Sequence, residues 1–505
     1  MATLVRGKFV LTQSERYGPD GVLEDGAVYV SGRDVVEVGR YRDLKAVYPT
    51  ATVIGSPRFW VIPGLVVAHQ HGTGLTGFQL GGLDECLELA RLTARPQPRV
   101  DAYLNTLYAC LGMIESGITT CIHFNGGRSP ADYEPEVRER IRAYDEAGIR
   151  VSFGLDVRNR NHLVYGDEEF LRGLPAPLRE KAAARAAQPR TLAPEDYFRL
   201  VKDLSASMKD EPRMKLFLTP NGPQWSTEDL LRAIKRESDD RDLGVQMQVL
   251  ETRYQRSYFA RAYGKTAVQW LDDLEFLGPR VSLAYGVWLS RDDMAIVARR
   301  GVAVVHKPSS GLRLRSGIAP LPLLYEAGVR LAIGLDAAGL NDDRDMFQEM
   351  RLCANLQRVP GMARRLVPPQ EILRMATVNG AQVLGWGAEA GTLEPGKRAD
   401  LVLLDMRAAS HPYLAPEHNP IDTLIYRGRA SSVDTVMVDG EILYQGKRHL
   451  RLPAKSIIDQ LTRKLTPPSE APDPLSGELL PHVVRYYAAW DEASLVPFHS
   501  VNSVE

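Results

Sequence analysis

Trp60-Val61-Ile62-Pro63-Gly64-Leu65-Val66-Val67-Ala68-His69-Gln70-His71-Gly72 decides how the rest of this chain is read. Residues 61–68 are almost wholly apolar, the pattern of a strand covered on both faces. His69 and His71 close the run. Side chains alternate faces along a strand, so the two imidazoles share one side. Two convergent imidazoles at a strand end begin a metal site whose other ligands must come from elsewhere. A histidine pair in a surface loop is the plainer alternative. The Pro63-Gly64 step and the apolar run favour the metal.

The chain has 505 residues, so two domains or a large barrel with additions is expected. It is 44% hydrophobic and 25% charged, as globular proteins are. A net charge of −1 argues against nucleic acid or an acidic membrane as partner. Cys86, Cys110, Cys121 and Cys353 lack ligand spacing and read as buried thiols of a reducing compartment. The first residues lack the apolar core of a signal peptide, and no apolar run approaches the ~18 residues that span a bilayer. A cytoplasmic protein with a small-molecule partner is expected.

Residues 1–60 carry short β-prone runs at 8–12, 27–30 and 34–38 with turn residues between them. From 61 to 390, apolar strands alternate with amphipathic helices. Strands are expected at 117–123, 150–155, 214–218, 244–250, 281–287, 302–306 and 329–335, and helices at stretches such as 102–115 and 136–147. Roughly eight βα units predict an α/β fold of the (β/α)8 type, a TIM-type barrel, with its chemistry at the C-terminal strand ends. His69, His71, His123, Asp156, Arg158, Glu251, Tyr285, His306 and Asp336 fall at those ends. Residues 165–195 read as an excursion, either a helix with a lid or a solvated insertion. Residues 391–450 return to β character, with a hairpin turn at Asp439-Gly440. Together with 1–60 they predict one small β-sandwich domain built from both chain ends. Residues 451–505 form a partly helical tail expected to dock or to make a homo-oligomer contact, most simply in a dimer. Within it, 497–502 are apolar enough to dock.

These motifs together resemble the amidohydrolase superfamily, in the branch of cytosine and guanine deaminases and chlorotriazine hydrolases, over nearly the whole chain. Residues 63–71 are similar to its strand-one metal motif, Glu251-Thr252 to the end of strand five, and Gly286-Val287-Trp288-Leu289-Ser290 to strand six. His306-Lys307-Pro308-Ser309-Ser310-Gly311 is similar to strand seven and Gly334-Leu335-Asp336 to strand eight. Gly391-Thr392-Leu393-Glu394-Pro395-Gly396-Lys397 is similar to the return into the sandwich. The resemblance implies a single divalent metal, zinc first, with manganese or iron as alternatives. It also implies hydrolysis or deamination at a non-peptide C–N bond of a small polar substrate, heterocyclic or amide-like. In relatives the metal is held by the paired histidines, a strand-five histidine and the strand-eight aspartate. This chain departs from the pattern. Gln248 stands in place of the strand-five histidine, Tyr285 in place of the strand-six histidine, and Lys307 in place of a strand-seven asparagine.

His69, His71 and Asp336 remain as ligands, with Gln248 as a weak fourth through its carbonyl oxygen. The alternative is that no metal binds. Glu251 takes the family's proton-shuttle position, against a structural pairing with Arg253 or Arg256. Asp336 would also orient or deprotonate water. Tyr285 is either a catalytic donor or a packing residue. Gln79, His123, Arg158, His306 and Lys307 are expected at the barrel mouth in contact with substrate, each with a satisfied structural side chain as the alternative. For Lys307 that alternative points into the helix layer. The missing imidazoles leave two other readings open: a repurposed lyase, cyclase or isomerase with altered or no metal, and a non-catalytic binding or assembly partner.

Overall fold

The computed structural model describes residues 2–490 apart from 91, 128, 190, 359–361, 363–365 and 469–472, so the expectation for 497–502 lies outside the described residues. The chain opens with β1 (Ala2–Leu11), β2 (Val22–Ser31) and β3 (Asp34–Arg40); β4 (Thr52–Pro63) then pairs parallel to β1. After Gly64, β5 (Leu65–Val67) begins a second sheet. The single strand expected over 61–68 is therefore two strands of two sheets. Hydrogen bonding changes partner at the break. Gly64 N donates to Asp400 O at 3.0 Å, whereas Leu65 N donates to Gly117 O at 3.0 Å. Glycine is required because a Cβ at 64 would lie 2.0 Å from Thr119 Oγ1.

The barrel continues through β6 (Ile118–Phe124), β7 (Arg150–Val157), β8 (Met214–Pro220), β9 (Gly244–Val249), β10 (Val281–Tyr285), β11 (Ala303–His306) and β12 (Arg330–Ile333). These strands lie side by side in chain order. β12 returns to β5 through Ala68 N to Ile333 O at 2.9 Å and a parallel bridge between Gln70 and Asp336. This is the expected (β/α)8 barrel. Strands β6, β7 and β10 are buried at every residue, which is why they read as apolar runs rather than alternating ones. The helix Ala102–Glu115 starts at Asp101, whose carboxylate accepts from Leu104 N, and buries Leu107, Cys110, Leu111 and Ile114.

The chain ends build the second sheet. β13 (Leu401–Asp405), β14 (Val433–Val438), β15 (Glu441–Gln445) and β16 (Arg448–His449) join β1–β4 in one eight-stranded sheet, with β4 between β1 and β13. Val5, Val28 and Val35 from one half share a core with Leu401, Leu403 and Met437 from the other. Asp439 and Gly440 turn the β14–β15 hairpin with φ of 51° and 74°. The two sheets are locked together by Arg150, wholly buried at the start of β7. Its Nε donates to Asp400 Oδ2 at 2.6 Å, and its Nη2 to Asp400 and Asp439.

The 165–195 excursion contains the helices Asp167–Arg172 and Ala176–Ala186. The described tail packs on its own barrel, Ala454–Lys464 against Ala102–Glu115 and Pro474–Ala488 against Ala176–Ala186. Ile457, Leu461, Leu479, Val483 and Tyr487 are buried there, so a single chain covers this part of its tail. No helix among the described residues is long and apolar enough to cross a membrane.

Candidate active site

Past the end of β5 the side chains still alternate. Gln70 turns outward and donates to Ile122 O at 2.6 Å and Tyr144 Oη at 3.2 Å, while His69 and His71 turn inward. The amide of Gln246 on β9 donates from Nε2 to Ala68 O and Ser282 Oγ, which leaves Oε1 facing His69 Nδ1 at 2.6 Å. A carbonyl oxygen only accepts, so His69 carries its proton on Nδ1. The same reasoning applies to His71, whose Nδ1 lies 3.1 Å from Phe124 O. Both Nε2 lone pairs then face Asp336 Oδ1, at 3.6 Å from His69 and 3.0 Å from His71. Burial pushes the His69 pKa down to about 3, so this ring stays neutral, and its Nε2 is buried without a hydrogen-bond partner.

Two lone pairs and a carboxylate oxygen around one point repel one another unless a cation lies between them. Ligands ~2.0–2.2 Å from a tetrahedral ion stand ~3.4 Å apart, between the two separations seen here. The donor set therefore fits a divalent metal, with His69, His71 and Asp336 as ligands and Gln246 and Phe124 O fixing the tautomers. Gln248, expected as a fourth ligand, lines the cavity beside His71.

Asp336 follows β12 with φ of 64°. Gly334 permits the approach, because a Cβ there would lie 2.8 Å from His69 Cβ. Asp336 Oδ2 accepts from Tyr285 Oη at 2.8 Å and Ser310 Oγ at 2.6 Å. Burial alone would raise its pKa, but Lys307 and the two imidazoles hold it well below the usual carboxylate value. Tyr285 has φ of 87°, a conformation costing about 1–3 kcal/mol that its clamp on Asp336 maintains. Burial, then Asp336 and Glu251, push its pKa well above that of a free phenol. Tyr285 thus keeps its proton and donates it to a hydrogen bond with Asp336.

Lys307 lies inside the site, not in the helix layer. Its side chain is wholly buried, with Nζ 3.5 Å from Asp336 Oδ1 and 3.2 Å from the centre of the Tyr285 ring. Burial lowers its pKa to about 8 against the opposing pull of Asp336 and Glu251. Glu251 is buried beyond β9, with Oε1 3.3 Å from Ser316 Oγ and Oε2 unpartnered. Burial pushes its pKa up to about 8, with Lys307 opposing.

A cavity of about 250 Å³ opens from His71 and Gln248 and is lined by Arg158, Glu88, Trp225 and Tyr165. Leu479, Val483 and Tyr487 of the Pro474–Ala488 helix form part of its wall. Arg158 is where the sequence places it. Of the other four expected mouth residues, Lys307 lies in the site and three do not line this cavity. His123 turns to the helix layer, with Nδ1 3.0 Å from Tyr144 Oη and its ring stacked on Phe153. Gln79 is exposed and folds onto its own loop, accepting from Thr76 N at 3.0 Å. His306 is buried, its pKa pushed down to about 3 by burial, and it does not line this cavity.

Gln246 and Glu88 escaped sequence reading. Gln246 was open to discovery, because it shares a strand face with Gln248 two residues on. Glu88 is buried and accepts from Tyr165 Oη at 3.0 Å and from Thr252 Oγ1, the N-cap of the helix behind Glu251. No spacing in the sequence marks it.

The amidohydrolase family model matches residues 60–443, and the chain belongs to that family. It is 30% identical over 470 residues to a 5'-deoxyadenosine deaminase of Methanosarcina mazei, covering 90% of this chain and 96% of that protein. It is 29% identical over 457 residues to a 5-methylthioadenosine/S-adenosylhomocysteine deaminase of Pyrococcus furiosus, covering 88% and 97%. Its fold is similar to that of a zinc-bound adenosine deaminase from Xanthomonas campestris, with a TM-score of 0.75, 24% identity, and coverage of 92% and 97%. The protein is a hydrolase of a typically metal-dependent family, acting on carbon–nitrogen bonds other than peptide bonds.

The cavity wall formed by Pro474–Ala488 lies beyond the residues that the family model matches. Val483→Trp is expected to fill the outer chamber and raise KM ~10-fold or more, with kcat and metal content close to the parent's. Steady-state kinetics with an unchanged KM would show that substrate does not use this chamber.

Proposed function

We propose that the protein is a zinc-dependent deaminase of an adenine nucleoside. The observation that carries this reading is the His69–His71–Asp336 constellation, whose His71 lines a cavity, with the buried Glu251 near Asp336. The relatives named for 5'-deoxyadenosine and methylthioadenosine deamination support the substrate class. Trp225, Tyr165 and Tyr487 offer aromatic faces to a flat base, while Arg158, Asn161 and Asn221 offer polar groups to its edges and its sugar.

Hydrolytic deamination adds water at the amino-bearing carbon and releases ammonia. His69, His71 and Asp336 would hold a divalent ion, which would supply Lewis acidity toward water. Asp336, held ionised, accepts from Tyr285 and Ser310 through one oxygen and keeps the other toward the imidazoles. Glu251, its pKa raised to about 8 by burial, would take up the proton that water gives up and deliver it to the departing nitrogen. Ser316 fixes one carboxyl oxygen and leaves the other free for that transfer. One observation favours a second reading, chemistry without a metal: a lysine ammonium already lies beside Asp336.

The test is ammonia release from 5'-deoxyadenosine, 5'-methylthioadenosine and S-adenosylhomocysteine. Zinc-loaded protein is expected to turn over at least one of them, to lose activity with a chelator and to regain it with Zn²⁺. Zinc-loaded protein that releases ammonia from none of the three would sink the adenine-nucleoside reading.

A further inference from the structure

The reaction leaves the buried Lys307 ammonium unused. It precedes the short helix Pro308–Arg313, and its ammonium is enclosed by Asp336, the face of the Tyr285 ring and, further off, Glu251. Enclosing an ammonium without water is costly unless nearby negative charge offsets it. Here the offset comes from Asp336 Oδ1, 3.5 Å away. That oxygen is the one both imidazole nitrogens face, at 3.6 Å and 3.0 Å. The spot that a divalent ion would occupy therefore already has a cation beside it.

We propose that Lys307 is a built-in competitor for the metal, so that His69, His71 and Asp336 bind a divalent ion more weakly than the same three ligands would beside a neutral residue. The inference rests on the metal reading of that triad. An ion ~2.1 Å from Asp336 Oδ1 would lie less than ~6 Å from the ammonium. At that range, beside the buried Lys307 and Asp336, two positive charges repel. Binding must work against that repulsion, which weakens the apparent affinity. Without the ion, the ammonium takes over part of its task. It neutralises the carboxylate and lets the three ligands stay converged. The site can thus exchange between a metal-loaded form and a metal-free form that keeps its shape.

The experiment is a competition titration of Zn²⁺ against a chromophoric chelator, with parent, Lys307→Met, Lys307→Asn and Lys307→Arg, each stripped of metal first. Lys307→Met and Lys307→Asn are expected to bind Zn²⁺ at least ~10-fold more tightly than the parent, and Lys307→Arg to stay close to it. Thermal unfolding gives a second readout. The metal-free Met variant is expected to melt below the metal-free parent, and Zn²⁺ is expected to raise its Tm by more than it raises the parent's. Should Lys307→Met not fold, the Asn variant carries the same comparison. Unchanged or weaker Zn²⁺ binding in the neutral variants overturns the inference, and a weakening would mark the lysine amine as a ligand. If zinc binds to none of the four, the inference falls together with the metal reading. If the parent deaminates and binds zinc with the neutral variants' affinity, only the inference falls.

Discussion

Glu251→Gln should leave a folded protein that binds zinc as the parent does and turns over ~10²–10⁴-fold more slowly, the usual range for losing a general acid–base group. The amide keeps the shape of the carboxyl and its contact with Ser316, but it cannot pass a proton. A group that acts only in the transition state lowers kcat and kcat/KM together, which separates it from a substrate-binding residue. The raised pKa supplies an independent check. Burial disfavours the ionised form, so the carboxyl supports the fold fully below its ordinary value of 4.5 and loses that support as pH rises through about 8. The Gln variant does not ionise. Its stability should therefore fall less than the parent's between neutral pH and pH ~9, as read from urea midpoints. Parent-like turnover in Glu251→Gln would remove Glu251 from the mechanism, whatever the stability data showed.

Arg150→Met is expected to cost about 3–5 kcal/mol of stability, the range for breaking a buried ion pair from one side. Arg150 is wholly buried and bridges Asp400 and Asp439, at the joint between barrel and second sheet. Burial works against its charge, and the two carboxylates more than offset that. Without the guanidinium, Asp439 keeps its ion pair with Arg33, but Asp400 is left enclosed. Asp400 Oδ1 still accepts from Asp439 N at 2.8 Å, too little for a buried charge. Arg150 sits at the N-terminal end of β7, opposite the catalytic mouth. The folded fraction of the variant should accordingly keep the parent's KM. Chemical denaturation giving a loss under about 1 kcal/mol would show that the joint is held mainly by apolar packing.

Much of this protein was legible in the chain itself. The alternation of apolar strands with amphipathic helices was enough for the barrel, because a parallel strand covered on both faces must read as an apolar run. His69 and His71 share a side by the two-residue period of a strand, and neither needed the tertiary structure to be singled out. The turn at Asp439-Gly440 was readable because a tight hairpin demands positive φ at both residues.

What the sequence left open depended on which distant segment each residue meets. His69 takes its tautomer from Gln246, 177 positions away, and a period of two cannot tell Gln246 from Gln248. Gly64 divides one apolar run between two sheets because Thr119 lies against it, and hydrophobicity does not change across that step. His123 and Gln79 stand at the expected chain positions, yet Tyr144 draws one into the helix layer and Thr76 holds the other on its own loop. Lys307 could have faced either way after β11, and only barrel closure, which brings β12 and Asp336 beside β5, put its ammonium at the metal's oxygen. Local pattern fixes a residue's face and its chemistry, while the charge it meets is set by long-range closure of the barrel.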